Sequence, residues 1–209
     1  MPDYPPVTDS LTTLQAWMRE HAQGVSFRPP ADPAAIDHFA DQSGLSLPDQ
    51  LRQILLVADG ETRKSAGAIG NWRIMPIGDI QAAWGLLRQL AAKGAFAELE
   101  PQPSPYLQHA WWHPAWIPVV SSDAGDYICI DSDPPEPERY GQVLLFLHDQ
   151  PARPLVAGSL GAWLDRINRD LAAGVYAFDE VEGFNDEAFL WSALEGKHLI
   201  DDRPANQIV

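Results

Sequence analysis

Six carboxylates crowd one stretch of this chain: Asp123, Asp126, Asp131, Asp133, Glu136 and Glu138. At that density they could hold calcium or pair with the Lys and Arg side chains of another protein. An EF-hand loop needs regularly spaced ligands and a central glycine, and Pro134 and Pro135 stand where those should be. The chemistry left to them is electrostatic: a docking patch for a basic partner, or the plainer alternative of a solvated acidic face. His109 and His113 are four apart, a spacing that suits two metal ligands on one helical face. No Glu follows His109, however, and Pro114 ends any helix there, so packing beside Trp111 and Trp112 is the expected role. Gly158-Ser159-Leu160-Gly161 is one residue short of a nucleophile elbow, and a helix cap accounts for Ser159. The acid pairs Glu98/Glu100 and Glu180/Glu182 are of a kind common in exposed segments. Cys129 alternates with large apolar residues and reads as a small buried hydrophobe rather than a nucleophile. With no P-loop, dinucleotide or kinase pattern present, the expectation is a protein with no catalytic residue, no metal and no cofactor.

Charge narrows the partners. Across 209 residues, 29 acidic side chains against 14 basic ones give a formal charge of -15. Such a field repels nucleic-acid phosphates and anionic membranes, and it either speeds encounter with a basic protein or simply keeps the chain soluble. A single cysteine excludes an internal disulfide, and with no signal segment or long apolar span in view the expected compartment is the cytoplasm. Trp111 and Trp112 are adjacent and cannot face the same way on a regular element, so one of them is expected at the surface. Trp112 is then the candidate anchor for a partner, against the alternative that it covers the core beneath a proline-rich interval.

These side chains must be carried by elements that the apolar spacing reveals. Leu11, Leu14 and Met18 follow Thr8-Asp9-Ser10 and predict a helix to about His21. Asp32-Pro33 opens a second helix ending near Gly44, and Leu47-Pro48-Asp49 opens a third, with Leu51, Ile54, Leu55 and Ala58 on one face and Asp59-Gly60 as its stop. A short strand around Trp72 and Ile74 precedes a helix that Asp79 caps and Gly94 ends. The interval from Gly94 to Trp111, broken by Pro101, Pro103 and Pro105, reads as a connector or an insertion over one sheet face. Trp116 to Asp131 is a predicted β-hairpin with an Asp/Gly turn, Gln142 to His148 a strand apolar on both faces, and Ser159 the cap of a helix finishing at Gly174. Asn185 is a possible cap for a last helix carrying Phe189, Leu190, Trp191 and Leu194. The expected organisation is a helical extension over 1–24, a main domain over 25–174 and an acidic extension over 175–209.

In that order the residues resemble the SUKH superfamily, the Smi/Knr-type regulators of fungal cell-wall assembly and their bacterial relatives. Three pieces carry the likeness: Leu45-Ser46-Leu47-Pro48-Asp49-Gln50-Leu51 with the helix end Asp59-Gly60-Glu61, where the family usually has Asn-Gly; the hairpin from Trp116 to Asp131; and the closing strand and helix, Gly141 to Asp149 and Val156 to Leu164. The resemblance covers roughly residues 30 to 172. It implies an α+β fold, a mixed or antiparallel sheet with helices mainly on one side, and a function in protein binding.

Many bacterial members of that family neutralise toxins, so the leading expectation is a non-catalytic immunity protein that lays its acidic hairpin and loop on a basic toxin domain. A regulator or scaffold of cell-envelope assembly is the alternative. A third reading, a hydrolase, requires His113 or His148 to meet a carboxylate in a pocket. Oligomeric state, and any part played by the two extensions in an interface, stay open at this level.

Overall fold

The computed structural model describes residues 4–22, 24–62, 67–69, 72–122, 124–174 and the backbone of 178–179 and 183–184. Among these residues five α-helices, α1 Val7–His21, α2 Pro33–Ser43, α3 Asp49–Val57, α4 Ile77–Ala92 and α5 Leu160–Ala172, accompany an antiparallel sheet. Its strands, β1 Arg73–Ile74, β2 Trp116–Ser121, β3 Tyr127–Asp131, β4 Val143–Phe146 and β5 Leu155–Ala157, lie in sequence order. The fold is α+β, with the helices mainly on one side of the sheet. A separate two-stranded ladder joins β6 Phe178–Asp179 to β7 Gly183–Phe184. The possible cap at Asn185 and the helix after it lie outside the described residues. No helix among the described residues is long and apolar enough to cross a membrane.

Register assigns the two faces. Ile117, Ile130, Val143 and Ala157 are cross-strand neighbours, as are Val120, Ile128 and Leu145, and these form the face the helices cover. The opposite face presents Trp116, Pro118, Cys129, Asp131, Leu144 and Phe146. It is buried as well, because the irregular strap of residues 94–115 lies across it. The strap is fastened at both flanks: Gln102 N–H donates to Pro151 O at 2.8 Å and the Trp84 indole donates to Pro114 O at 2.7 Å. The insertion expected over one sheet face is therefore present, and it gives the strand residues their burial on both sides.

Helix starts follow local chemistry in two places and tertiary chemistry in two others. Asp32 and Ser159 accept from the backbone N–H groups of Ala34 and Ala162, the caps that their residue types predict. The first helix begins at Val7, so Thr8-Asp9-Ser10 form its first turn rather than its cap. It buries Val7, Leu11, Leu14 and Met18 against α3 and α5, and Asn168 donates to Ser10 O at 2.8 Å across that contact. The fourth helix begins at Ile77, two residues before Asp79, and its cap comes from far away in sequence: Asp59 Oδ1 accepts Ile77 N–H at 2.7 Å. An Asn there would accept equally well, which explains why the departure from the family's Asn-Gly is compatible with the turn. Asp59→Ala is expected to lose about 1 kcal/mol in urea denaturation and Asp59→Asn only a few tenths, as helix-cap replacements do.

Glu61, two residues after Asp59, seals the sheet's outer edge. Glu61 N–H donates to Ile74 O and Ile74 N–H donates to Glu61 Oε1, both at 2.8 Å, so a fully buried carboxylate stands in for the carbonyl of a further strand. The last strand of the five-stranded sheet, β5, lies between the predicted strand at 142–148 and the predicted helix at 160. At three residues it is too short to show a period.

Candidate partner-binding surface

The hairpin positions the acidic residues, and its geometry separates them. Tyr127 and Asp131 are the two ends of β3, which puts the turn and the following loop about 13 Å apart along the strand. The predicted single acidic edge is thus two poles, one carrying Asp126 and the other Asp133, Glu136 and Glu138. Asp123 lies outside the described residues.

At the turn pole, Gly125 takes φ +96°, a left-handed conformation suited to glycine, and brings the chain back beside His148. Asp126 Oδ1 accepts His148 N–H at 2.9 Å and faces His148 Nδ1 at 2.7 Å, and the Ser122 hydroxyl donates to Oδ2 at 3.4 Å. The hydrogen bond from Asp126 raises the His148 pKa above its ordinary value. With Asp149, these groups bring one ligand-type atom each within 4.8 Å of one another. The hydrolase reading asked for a His near a carboxylate, and this pair meets that half of the requirement. The ring is exposed, however, and the neighbouring hollow of about 230 Å³ is lined by Arg73, Asp79, Ser121 and Tyr127 rather than by His148. A larger hollow of about 560 Å³ runs along α4 and carries no His, Cys or carboxylate. Both carboxylate oxygens of Asp126 are engaged in holding the turn, and the arrangement reads as a clasp.

His113, the other candidate, sits half-buried with its ring 6.1 Å from that of Trp116, and its Nδ1 accepts Ala115 N–H at 3.3 Å. Burial lowers its pKa, opposed by the charge of Asp133. His109 instead turns outward, 3.4 Å from Glu100, so the i, i+4 histidine pair does not converge.

At the loop pole two expected contact residues prove to be interior. Asp131 has no exposed surface, because it shares the face of Cys129 and the strap covers that face. Trp112 is only 4% exposed and Trp111 only 8%: the segment is irregular, so adjacency does not force the rings apart, and both are buried in the hydrophobic core. Neither Asp131 nor Trp112 offers surface to a partner. Asp133 and Glu138 are exposed, and Glu136 is partly exposed while accepting from buried Arg139 Nε at 2.8 Å. The Arg139 guanidinium lies 3.9 Å above the Tyr106 ring. Tyr140, 40% exposed, donates to Ser46 O at 2.6 Å and thereby ties the loop to the Leu-Pro link before α3.

Cys129 is fully buried, and burial pushes its thiol far above the ordinary range, which leaves it unionised and unreactive. Sequence reading missed the roles of Arg139, Tyr140 and Gln142. A signal existed for Asp131, since the period-2 alternation that buries Cys129 places Asp131 on the same face.

Comparison with known proteins adds a family. The model described as the SMI1 / KNR4 family (SUKH-1) matches residues 30–166. The cell wall biosynthesis/cell cycle regulator smi1 of Schizosaccharomyces pombe is 27% identical over 192 residues, covering 84% of this chain and 38% of that protein. A glucan synthesis regulatory protein of Neurospora crassa is 35% identical over 78 residues, 37% of this chain and 15% of that protein. The cell wall assembly regulator SMI1 of Saccharomyces cerevisiae is 31% identical over 101 residues, 48% and 19% of the two chains. The chain therefore spans well under half the length of each of these relatives.

Proposed function

Because the chain belongs to the SMI1/KNR4 family (SUKH-1), we propose that it is a non-catalytic, cytoplasmic protein-binding module that regulates cell-envelope assembly through contact with a basic protein surface. The relatives named for cell-wall and glucan regulation favour this reading over toxin neutralisation, the leading expectation from the resemblance to bacterial members of the family. The observation that carries it is the loop pole: Asp133, Glu136 and Glu138 stand on one loop, which Tyr140 ties to the Leu-Pro link before α3 and Arg139 packs onto the Tyr106 ring of the strap. A rigid base lowers the ordering cost of binding, and clustered like charges in a chain of net charge -15 accelerate encounter with a cationic surface.

Affinity capture with the tagged chain, followed by binding kinetics with the purified captured protein, tests this. Asp133→Lys with Glu138→Lys is expected to slow association about tenfold at low ionic strength and to flatten its salt dependence. Asp126→Asn, at the other pole, is expected to leave the rate alone. An unchanged rate in the double variant would place the interface elsewhere. Gene disruption that alters wall or glucan composition supports regulation, whereas a phenotype confined to survival against a toxin encoded beside the gene would restore the immunity reading.

A further inference from the structure

We propose that the hollow along α4 is a second docking site, shaped for an acidic amphipathic helix of another protein. It is separate from the loop pole and opposite to it in charge. The hollow, of about 560 Å³, runs from Gly78 to Ala92 on α4, with Gln42 of α2 along its side. Gln81 Nε2 donates to Gln42 Oε1 at 2.6 Å and joins the two helices there. Trp84 is buried beneath, its indole held by Pro114 O, so the floor is fixed from below.

The chain's own packing requires neither of the glycines in this helix. Gly85 stands mid-helix, where only proline is a poorer choice, and a Cβ added at Gly85 or at Gly78 meets nothing within 4 Å. What their missing side chains provide is room on the outer surface, where a second helix can come close to the α4 backbone. Ala82, between them, is exposed too, and Leu86, 53% exposed, stands beside it as an apolar knob. The shape therefore suits a helix, and the floor suits that helix's apolar face.

Charge identifies the occupant. From Ile80 to Lys93 there is no carboxylate, in a chain that has 29. Arg28, Arg52, Arg139, Arg166 and Arg169 each pair with an Asp or Glu. Arg88 is exposed beside the hollow, its guanidinium carbon 5.2 Å from the centre of the Trp84 ring, and makes no ion pair among the described residues. Lys93, also exposed, adds a second cation just over a turn further on. Asp79, the one carboxylate of α4, is at the far end of the helix and outside the lining of the hollow. The net charge of -15 opposes an anion at long range, but at physiological salt charges beyond about 8 Å are screened, and the nearby cations decide. Arg88 can then take a carboxylate on two N–H groups.

Nitrogen-15 NMR of the full chain at physiological ionic strength tests this with a synthetic amphipathic helix that carries leucines on one face and glutamates beside them. The amides of Gly78, Ala82, Gly85 and Gln89 are expected to shift, and those of the loop 132–141 to stay. Arg88→Glu is expected to weaken binding about tenfold and to favour the same peptide with lysines in place of its glutamates. Gly85→Leu fills the floor with a better helix former, so affinity is expected to fall about tenfold while the urea midpoint rises, a pairing that a folding defect would not produce. Shifts confined to another surface, equal binding of the lysine peptide, or full affinity in Gly85→Leu overturns the site. Shifts of the α4 amides that grow with the chain's own concentration, without peptide, assign the face to a second copy and overturn the acidic occupant. None of these outcomes bears on the loop pole, which has its own variants.

Discussion

Gly60→Ala is expected to lower stability by about 4 kcal/mol or to prevent folding, a loss in the tail reserved for buried clashes and strained backbone. Gly60 holds φ +65°, and a Cβ there would sit 2.4 Å from both Met75 C and Pro76 N and 2.7 Å from Ile74 O. All three are backbone atoms, so relief requires moving β1 and the start of α4. Those are the elements fixed by Asp59 and Glu61 on either side. Gly44→Ala provides the control: φ is +68°, but nothing lies within 4 Å of the added carbon. It should cost only about 1 kcal/mol, the left-handed strain alone. Urea denaturation followed by tryptophan fluorescence separates the two, and equal losses would show that the close backbone approach at Gly60 is not the cause.

Arg153→Met is expected to cost about 3 kcal/mol, because it strands several carbonyls that a buried guanidinium now satisfies. Arg153 is 6% exposed, and Nε and Nη2 donate to Trp111 O at 3.0 and 2.8 Å. Nη1 reaches Ala152 O at 2.7 Å and also bonds Gln150 O. The guanidinium carbon lies 4.7 Å from the centre of the Trp111 ring and 4.6 Å from that of Phe146. The positive charge is thus held by carbonyl dipoles and ring faces, and although burial lowers its pKa to about 10, it stays protonated at neutral pH. Arg153→Lys should lose about 2 kcal/mol as well, since an ammonium cannot present the same planar fork. The midpoint of urea unfolding reports both, and a loss under about 1 kcal/mol would mean that the strap is held by its apolar contacts instead.

These two positions show how differently sequence exposes structural roles. Gly60 was legible: Asp59-Gly60 after an apolar helical stripe reads as a helix stop, and the structure adds only the reason that no side chain fits. Arg153 gave no sign, since an arginine between two prolines looks like a surface residue until the strap of 94–115 is folded across Phe146. The acidic residues divide in the same way. Alternation alone places Cys129 inside, and Asp131, two positions on, shares its face, although its charge points to the surface. Trp112 was expected at the surface from a rule for regular elements that its irregular segment does not obey.

By itself the sequence determined the helices α2, α3 and α5, the central hairpin, the family likeness and the acidic balance. Each of these is written in contacts a few residues apart, where helical and strand periods, caps and turn residues act. Only the tertiary structure decided that the acidic edge is two poles, that Asp131 and Trp112 are interior, and that Asp59 and Glu61 complete elements distant in the chain. Those outcomes depend on which segment covers which face, and an aperiodic, proline-broken strap carries no local signal of where it will lie.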